Sequence, residues 1–194
     1  MTRTFNHSIL ETIQQRWSAR AIDPAPVPED DVRAVIEAAR FAPSCYNEQP
    51  WRYLIAQDQP ALDTLRAFLS ESNRKWAGKA PVLMLVLALN LFERNQQPNR
   101  WNQFDTGTSW GFLQLEAWRR GYVTHAMAGF DQDRARKTLH IPGHYDILCM
   151  VAMGRHGRPE DLDPLFQAKE QPNTRRDLDS VMLKPDAFLK TDAV

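Results

Sequence analysis

The chain has few cysteines, no long apolar segment and no surplus of either charge. Two cysteines, Cys45 and Cys149, are too few for a disulfide scaffold. With no secretory leader ahead of the first helical pattern, we expect a reducing, cytoplasmic setting. The apolar run Val82–Leu89 is too short to cross a bilayer. The 24 basic and 24 acidic side chains cancel, so neither a nucleic acid nor a membrane is expected as the main partner.

Two signatures of other site classes are also missing. His140 and His144 are four residues apart, but Pro142 and Gly143 between them prevent a helical pair of metal ligands. We therefore predict no metal. No Gly-x-Gly-x-x-Gly element occurs, which argues against a Rossmann crevice for a dinucleotide.

Helix and strand patterns alternate along residues 1–194 without a repeat or a low-complexity linker, which indicates one domain with a sizeable core. Helices are predicted after Pro28, over Ala61–Ser70, from Asp105 towards Gly121 and after Asp131, and strands over Arg52–Gln57, Val82–Leu89, Tyr122–Met127 and Ile147–Met153. Residues 155–194 are rich in charge, with one apolar stretch at Val181–Leu183. We expect this tail to wrap another surface, because it cannot form a compact unit alone.

The turn Ala42–Trp51 combines small and polar residues between a helix and a strand pattern. Its two prolines limit the backbone, and the short side chains of Ser44 and Cys45 let a planar group approach closely. Asn47 and Gln49 each bring a donor and an acceptor. The turn is either a flat ligand seat or an ordinary exposed turn.

A basic cluster stands at the end of the first helical pattern, whose apolar residues recur every three to four positions as far as Trp17. Arg16 and Arg20 are four residues apart there, with Ser18 between them. Two guanidiniums and a hydroxyl suit a phosphate, because arginine presents a rigid fork of donors to its oxygens. Solvated surface arginines are the alternative.

Taken in order, these segments resemble the N-terminal signature of the FMN-dependent nitroreductase family. The matching motifs are Arg16-x-Ser18-x-Arg20, Pro28-Glu29, Ala42-Pro43-Ser44 and Asn47-x-Gln49-Pro50-Trp51. Two later segments resemble the family as well, namely Asn73-x-x-Trp76 followed by Ala80-Pro81-Val82-Leu83, and Asp105–Phe130 with Gly121 and Ala128-Gly129-Phe130. The resemblance covers most of the chain.

The resemblance implies an α+β, three-layer fold in which a mixed, mainly antiparallel sheet is flanked by helices. It also implies an intertwined homodimer with FMN at the interface, the tail 155–194 acting as an arm around the partner subunit. One subunit would supply Pro43, Ser44, Cys45 and Asn47, and the other Arg16, Ser18, Arg20 and Arg175. Arg175 holds the matching position for a phosphate contact, with Arg176 as the alternative.

The family match also assigns roles around the flavin. Arg16, Ser18 and Arg175 would hold the phosphate, Trp17 would flank the ribityl chain, Asn73 would bond the ring edge, and the backbone of Ala128 and Gly129 would face N5 or the carbonyl oxygens. Arg20 would stabilise the negative charge of reduced flavin and so raise its reduction potential.

Three features leave alternatives open. Cys45 stands where a small hydroxyl residue is common in the family, and it acts either as a packed thiol or as a thiolate near the flavin. His125 and Met127 either line the substrate side of the ring or are a hydrogen-bonded strand histidine and a core methionine. The segment Glu93–Phe104 is either a mobile lid or a solvated loop.

The implied activity is an FMN-dependent oxidoreductase that takes a hydride from NADH or NADPH. It would reduce a nitroaromatic, a quinone or a related small acceptor by a ping-pong mechanism. The sequence does not separate the two nicotinamides. A flavin-binding or sensing protein with little turnover is one alternative, and a structural homodimer that has lost FMN is another. Within the enzyme class, flavin cleavage and dehalogenation are the nearest rivals.

Overall fold

A four-stranded antiparallel sheet organises the chain in the computed structural model, which describes residues 3–188. The strands, in the order β1-β2-β4-β3, are β1 Trp51–Ala56, β2 Val82–Leu89, β3 Tyr122–Met127 and β4 Tyr145–Arg155. Every pairing between them is antiparallel. Within residues 3–188 the sheet is thus wholly antiparallel, whereas the family resemblance led us to expect a mixed, mainly antiparallel one.

Seven α-helices and four short 3-10 turns surround the sheet in this part of the chain. The helices are α1 Glu11–Gln15, α2 Glu29–Arg40, α3 Gln59–Arg66, α4 Glu71–Ala77, α5 Asn102–Arg119, α6 Gln132–Thr138 and α7 Pro164–Gln167. The 3-10 turns are Cys45–Asn47, Pro159–Asp161, Leu178–Ser180 and Pro185–Phe188. None of the helices in residues 3–188 has the length and apolar character needed to cross a membrane.

The central strand β2 separates two cores, because its residues alternate between the two faces of the sheet. Leu83, Leu85 and Leu87 pack into a cluster with α3, α4 and α6. Val82 and Met84 pack on the other side with α2 and α5. All eight residues of β2 are buried. The result is the three-layer α+β architecture that the resemblance implied.

Local sequence signals set most element boundaries. β2 and β3 have the predicted bounds, and α2 begins directly after Pro28 with three acidic residues in its first turn. Asp131 caps α6 by accepting the Arg134 N–H. Gly121, with φ of 81°, follows the end of α5.

Other boundaries differ from the predictions. β4 is two residues longer at each end than predicted, β1 starts one residue earlier, and α5 starts three residues earlier, at Asn102. The helix predicted over Ala61–Ser70 ends at Arg66. Ser70 caps the next helix, α4, by accepting the Asn73 N–H at 3.3 Å. That cap requires a non-helical backbone at Ser70, so this residue precedes a new helix and does not end the predicted one.

The tail divides into two parts. As far as Glu170 it packs against its own chain, with Leu162 and Phe166 buried in the core that holds α3 and α4. From Gln171 to Pro185 it is mostly exposed, and this part includes the apolar stretch Val181–Leu183. The first two residues of the predicted domain and the last six of the predicted arm lie outside the described residues.

Candidate active site

The predicted site residues fall into separate groups in the structure. The first, which we call the arginine cluster, contains Arg16 and Arg175 together with Arg3. Arg16 Nη2 donates to the Ser18 Oγ at 3.2 Å. Arg3 Nη1 donates to the Arg16 carbonyl at 2.8 Å. Arg3 Nε and Arg175 Nη1 both donate to the Asn173 carbonyl, at 3.1 and 3.3 Å. Three predicted phosphate-site residues therefore lie together, and Arg3 joins them.

The arginine cluster has an unbalanced charge. Burial and then the nearby charges of Arg3 and Arg175 lower the pKa of Arg16. Burial and then the charge of Arg175 lower the pKa of Arg3. Among residues 3–185 no carboxylate forms an ion pair with any of the three. A bound anion would reduce the repulsion between like charges held together in this way, so the cluster fits a phosphate group.

The first helix is shorter than the apolar pattern indicated, and this prediction was wrong. α1 ends at Gln15, and Arg16 has an extended backbone with φ −64° and ψ 142°. Arg16 and Arg20 are therefore not on one helical face. Ile9, Leu10 and Ile13 of the pattern are exposed and Trp17 alone packs against the core, which is too little contact to support a longer helix.

A buried carboxylate holds the segment that follows α1. The Glu170 side chain is 1% exposed and accepts the backbone N–H of Arg20 at 3.0 Å and that of Ala21 at 2.8 Å. Ile22 then forms an isolated antiparallel bridge with His156. Sequence reasoning missed Glu170, because nothing near it in the chain indicates that it meets a segment 149 or 150 residues away.

A second group surrounds Trp76. The guanidinium carbon of Arg20 lies 5.9 Å from the centroid of the Trp76 ring. Trp76 Nε1 donates to Asn73 Oδ1 at 3.2 Å, and Asn73 Nδ2 donates to the Gly129 carbonyl at 2.9 Å. Arg20, Asn73 and Gly129 are thus connected through one buried indole. We call these four residues the Trp76 group.

The neighbours of Gly129 leave no room for a side chain at this position. A Cβ at this position would lie 2.8 Å from Asn73 Nδ2 and 3.1 Å from Ser70 Oγ. Ala128 and Gly129 are exposed and border an open cavity of about 470 Å³. The amide of Asn73 is already bonded at both ends within the protein, although its oxygen retains a free lone pair for a ligand.

His125 and Trp17 pack beside these groups. His125 Nδ1 lies 3.0 Å from the Ala19 carbonyl oxygen, and its ring centroid is 4.5 Å from that of Trp76. Burial lowers the pKa of His125, so its ring is neutral at pH 7. Met127 is buried in the core. Trp17 is half-buried and contacts the His156 ring edge-on at 5.7 Å.

The third group is the Pro43 turn, residues 42–50. Tyr46, Asn47 and Gln49 have φ values of 53°, 59° and 50°, a region that costs roughly 1–2 kcal/mol for each non-glycine residue. Two of the hydrogen bonds that support the turn run from a backbone N–H to a side chain. The Cys45 N–H donates to Asp105 Oδ2 at 2.9 Å, and the Gln49 N–H donates to the Ser44 hydroxyl oxygen at 3.0 Å. Strained backbone held by its surroundings is common at binding sites.

The segment predicted as a lid or a loop contacts this turn. Glu48 accepts the Glu93 N–H at 2.9 Å and pairs with Arg94 at 3.6 Å. The Arg94 guanidinium stacks 3.9 Å from the Tyr46 ring centroid. The predicted bounds Glu93–Phe104 were wrong at the end, because α5 begins at Asn102.

The Pro43 turn and the arginine cluster lie towards opposite ends of α5. Asp105, in the first turn of α5, binds Cys45. Near the other end, Trp118 Nε1 donates to Gln15 Oε1 at 3.4 Å, next to Arg16. Trp118 is thirteen positions after Asp105, a separation of about 20 Å at about 1.5 Å per residue. The two halves of the predicted site are thus separated within one chain.

Comparison with known proteins gives a consistent result. The model of the nitroreductase family matches residues 13–75 and 64–155. A Thermus thermophilus NADH dehydrogenase is 28% identical over 185 residues, covering 78% of this chain and 89% of that protein. The Synechocystis protein DrgA is 28% identical over 181 residues, covering 78% and 84%. Rat iodotyrosine deiodinase 1 is 23% identical over 209 residues, covering 93% and 70%.

Solved structures share the fold. A crystal structure of an FMN-containing oxidoreductase superposes with a TM-score of 0.90 at 30% identity, covering 94% of both chains. A nitroreductase-like protein from Exiguobacterium sibiricum in complex with FMN has a TM-score of 0.74 at 16% identity, covering 93% of this chain and 99% of that one. At that identity the second likeness concerns the fold alone.

Proposed function

The chain belongs to the nitroreductase family, and on that premise we propose that it is an FMN-dependent oxidoreductase. It takes a hydride from NADH or NADPH and reduces a nitroaromatic, a quinone or a related small acceptor in alternating half-reactions. Bound flavin supplies the two-electron chemistry, and the protein supplies placement and electrostatics.

The observation that carries the proposal is the arginine cluster and its position. Its positive charge has no carboxylate partner among the described residues, which suits the phosphate end of FMN. The backbone from Arg16 to Arg20 is not helical and reaches at most about 13 Å at about 3.3 Å per residue. It leads to the Trp76 group, where a planar ring would find Arg20 and the exposed backbone of Gly129. An elongated ligand with one anionic end and one planar end fits this order.

Arg20 is the residue we assign to electrostatic control. Its backbone is fixed by Glu170 and its guanidinium lies over Trp76 and, at 6.0 Å, Phe166. A cation held in this way favours a ligand that gains negative charge on reduction, because the protein need not reorganise when the charge appears.

The site would be completed by a second copy of the chain. The Pro43 turn is about 20 Å from the arginine cluster along α5, so one chain presents only half of the predicted contacts. Large apolar side chains are exposed on several elements, including Leu10 at 68%, Phe104 at 72% and Met182 at 67%. Exposed apolar surface of this extent indicates an interface. We infer a homodimer in which residues 171–188 of the tail contact the partner and each site combines both subunits.

A spectrum tests the proposal directly. Purified protein is incubated with FMN and desalted, and NADH and then NADPH are added without oxygen. Retained yellow colour that bleaches rapidly supports the oxidoreductase and identifies the reductant. Loss of all flavin on desalting would contradict the cofactor assignment and favour a structural homodimer.

A flavin-binding or sensing protein with little turnover is the second candidate. The contacts of Glu48 and Tyr46 with Arg94 favour it, because they fix the following loop against the turn that would hold the flavin. Retained FMN that neither nicotinamide bleaches would select this candidate.

A further inference from the structure

We propose that Arg3, which no sequence motif marks, binds the phosphate of the flavin together with Arg16, Ser18 and Arg175. The inference rests on the proposed function and extends the phosphate site to the N-terminal segment. Arg3 is the residue that joins this segment to α1 and to the tail.

The guanidinium of Arg3 is held in place by three carbonyl groups. Nη1 donates to the carbonyls of Gln14 at 3.1 Å and Arg16 at 2.8 Å, and Nε donates to that of Asn173 at 3.1 Å. A guanidinium has five N–H donors, so the two on Nη2 remain without an acceptor among residues 3–185. Because the guanidinium is already oriented, Arg3 loses little further side-chain entropy when a ligand accepts a hydrogen bond from Nη2.

Arg3 lies directly beside the predicted phosphate contacts. It shares the Asn173 carbonyl with Arg175 and binds the Arg16 carbonyl. Both Arg16 and Arg175 have N–H groups that form no hydrogen bond within residues 3–185. Burial, and after it the positive charge of Arg175, lowers the pKa of Arg3, and the charges of Arg3 and Arg175 add to the effect of burial on Arg16. An anion between the guanidiniums would remove the repulsive part.

A purely structural role for Arg3 makes a different prediction. The carbonyls of Gln14 and Arg16 are at the C-terminal end of α1, where backbone acceptors lack helical partners. If Arg3 only satisfies these carbonyls, its loss affects FMN and riboflavin equally, because riboflavin is the same ligand without the phosphate. If Arg3 contacts the phosphate, only FMN binding weakens.

The experiment compares the dissociation constants of FMN and riboflavin, measured by quenching of flavin fluorescence. The variants are Arg3→Ala, Arg3→Lys, Arg3→Gln and the control Arg33→Ala, which removes an exposed arginine paired with Glu29 on α2. We expect Arg3→Ala and Arg3→Gln to raise the dissociation constant of FMN roughly tenfold or more. The dissociation constant of riboflavin should stay within about twofold of the wild-type value. Arg3→Lys keeps the charge and should lose less FMN affinity. Arg33→Ala should bind both flavins as the wild type does.

Two results would overturn the inference, namely wild-type FMN affinity in Arg3→Ala and Arg3→Gln, or a parallel loss of both flavins. Arg3→Gln keeps amide donors for the carbonyls, so it tests the charge even if Arg3→Ala folds poorly. If the wild type binds neither flavin, the proposed function fails separately. Thermal unfolding with inorganic phosphate then decides the role of Arg3. Stabilisation of the wild type but not of Arg3→Gln supports an anion site, and any other pattern rejects it.

Discussion

The Asp105 carboxylate accepts the backbone N–H of Cys45 at 2.9 Å and thereby attaches the Pro43 turn to the first turn of α5. Asp105 is 4% exposed, so its charge lies in a poorly solvated position near the positive end of the helix. The contact holds a turn in which three residues have positive φ. It makes the geometry of this half of the site depend on a residue 60 positions further along the chain.

Replacing Asp105 should loosen the turn. In Asp105→Ala the Cys45 N–H loses its partner, and the free energy of unfolding should fall by about 1–3 kcal/mol. Asp105→Asn keeps an oxygen acceptor, so its free energy of unfolding should fall by less. Urea unfolding measures both, with the exposed Asp133→Ala on α6 as the control, expected within about 0.5 kcal/mol of the wild type. Equal stability of Asp105→Ala and the control would show that the contact does not support the turn.

Gly129 should not tolerate a side chain. The Cβ of Gly129→Ala would lie 2.8 Å from Asn73 Nδ2, and moving that amide breaks its bonds to Gly129 and Trp76. We expect a loss of about 1–3 kcal/mol in stability and reduced FMN retention. Gly143→Ala is the matched control, because nothing lies within 4 Å of its Cβ. Similar melting temperatures and flavin content for both variants would contradict the role of Gly129 in the Trp76 group.

Arg16 and Arg20 should affect FMN in different ways. Arg16→Ala removes a phosphate contact and should weaken FMN binding several-fold or more, because a charge-assisted hydrogen bond contributes about 1.5–3 kcal/mol. Arg20→Ala should leave some FMN bound but lower its two-electron reduction potential by roughly 20–60 mV, the equivalent of about 1–3 kcal/mol. Flavin content and a spectroelectrochemical titration separate the two effects. Wild-type content and potential in both variants would refute the assignment.

Mixed dimers test whether two subunits build each site. Arg16→Ala and Asp105→Ala damage different halves, so a heterodimer contains one intact site and one with both defects. Refolding the two variants together should restore about a quarter of the wild-type sites if they mix at random. Each variant refolded alone provides the baseline for FMN retention. No restoration in the mixture would indicate that a single subunit forms the whole site.

Asp31 should make stability depend on pH in the acid range. The hydrogen bonds from Tyr122 at 2.6 Å and Arg120 at 2.8 Å lower the pKa of the Asp31 carboxyl. A carboxyl whose pKa is lower in the folded state stabilises it above the unfolded value, near 3.9, and loses this contribution as the pH falls through the folded value. Asp31→Asn should therefore flatten the fall in stability below about pH 4. The exposed neighbour Asp30→Asn is the control, and equal slopes for the two variants would exclude the effect.

Local sequence was sufficient for much of the fold. The continuous apolar run predicted β2, Pro28 with its acidic turn predicted the start of α2, Asp131 predicted the cap of α6, and Gly121 predicted the end of α5. These signals succeed because caps, turns and strand periodicity act between residues a few positions apart. The same reasoning extended α1 beyond Gln15, because an apolar pattern does not reveal whether it faces its own core.

The sequence by itself determined the four strands and, through short motifs, the family and with it the layered α+β fold. Only the tertiary structure decided which polar groups meet. Glu170 reaches Arg20 and Ala21 across about 150 positions, and Arg3 reaches Asn173 across 170. The physical reason is that such contacts arise from chain folding in three dimensions, so no local spacing encodes them. The same holds for the separation of the Pro43 turn from the arginine cluster, which the length of α5 fixes.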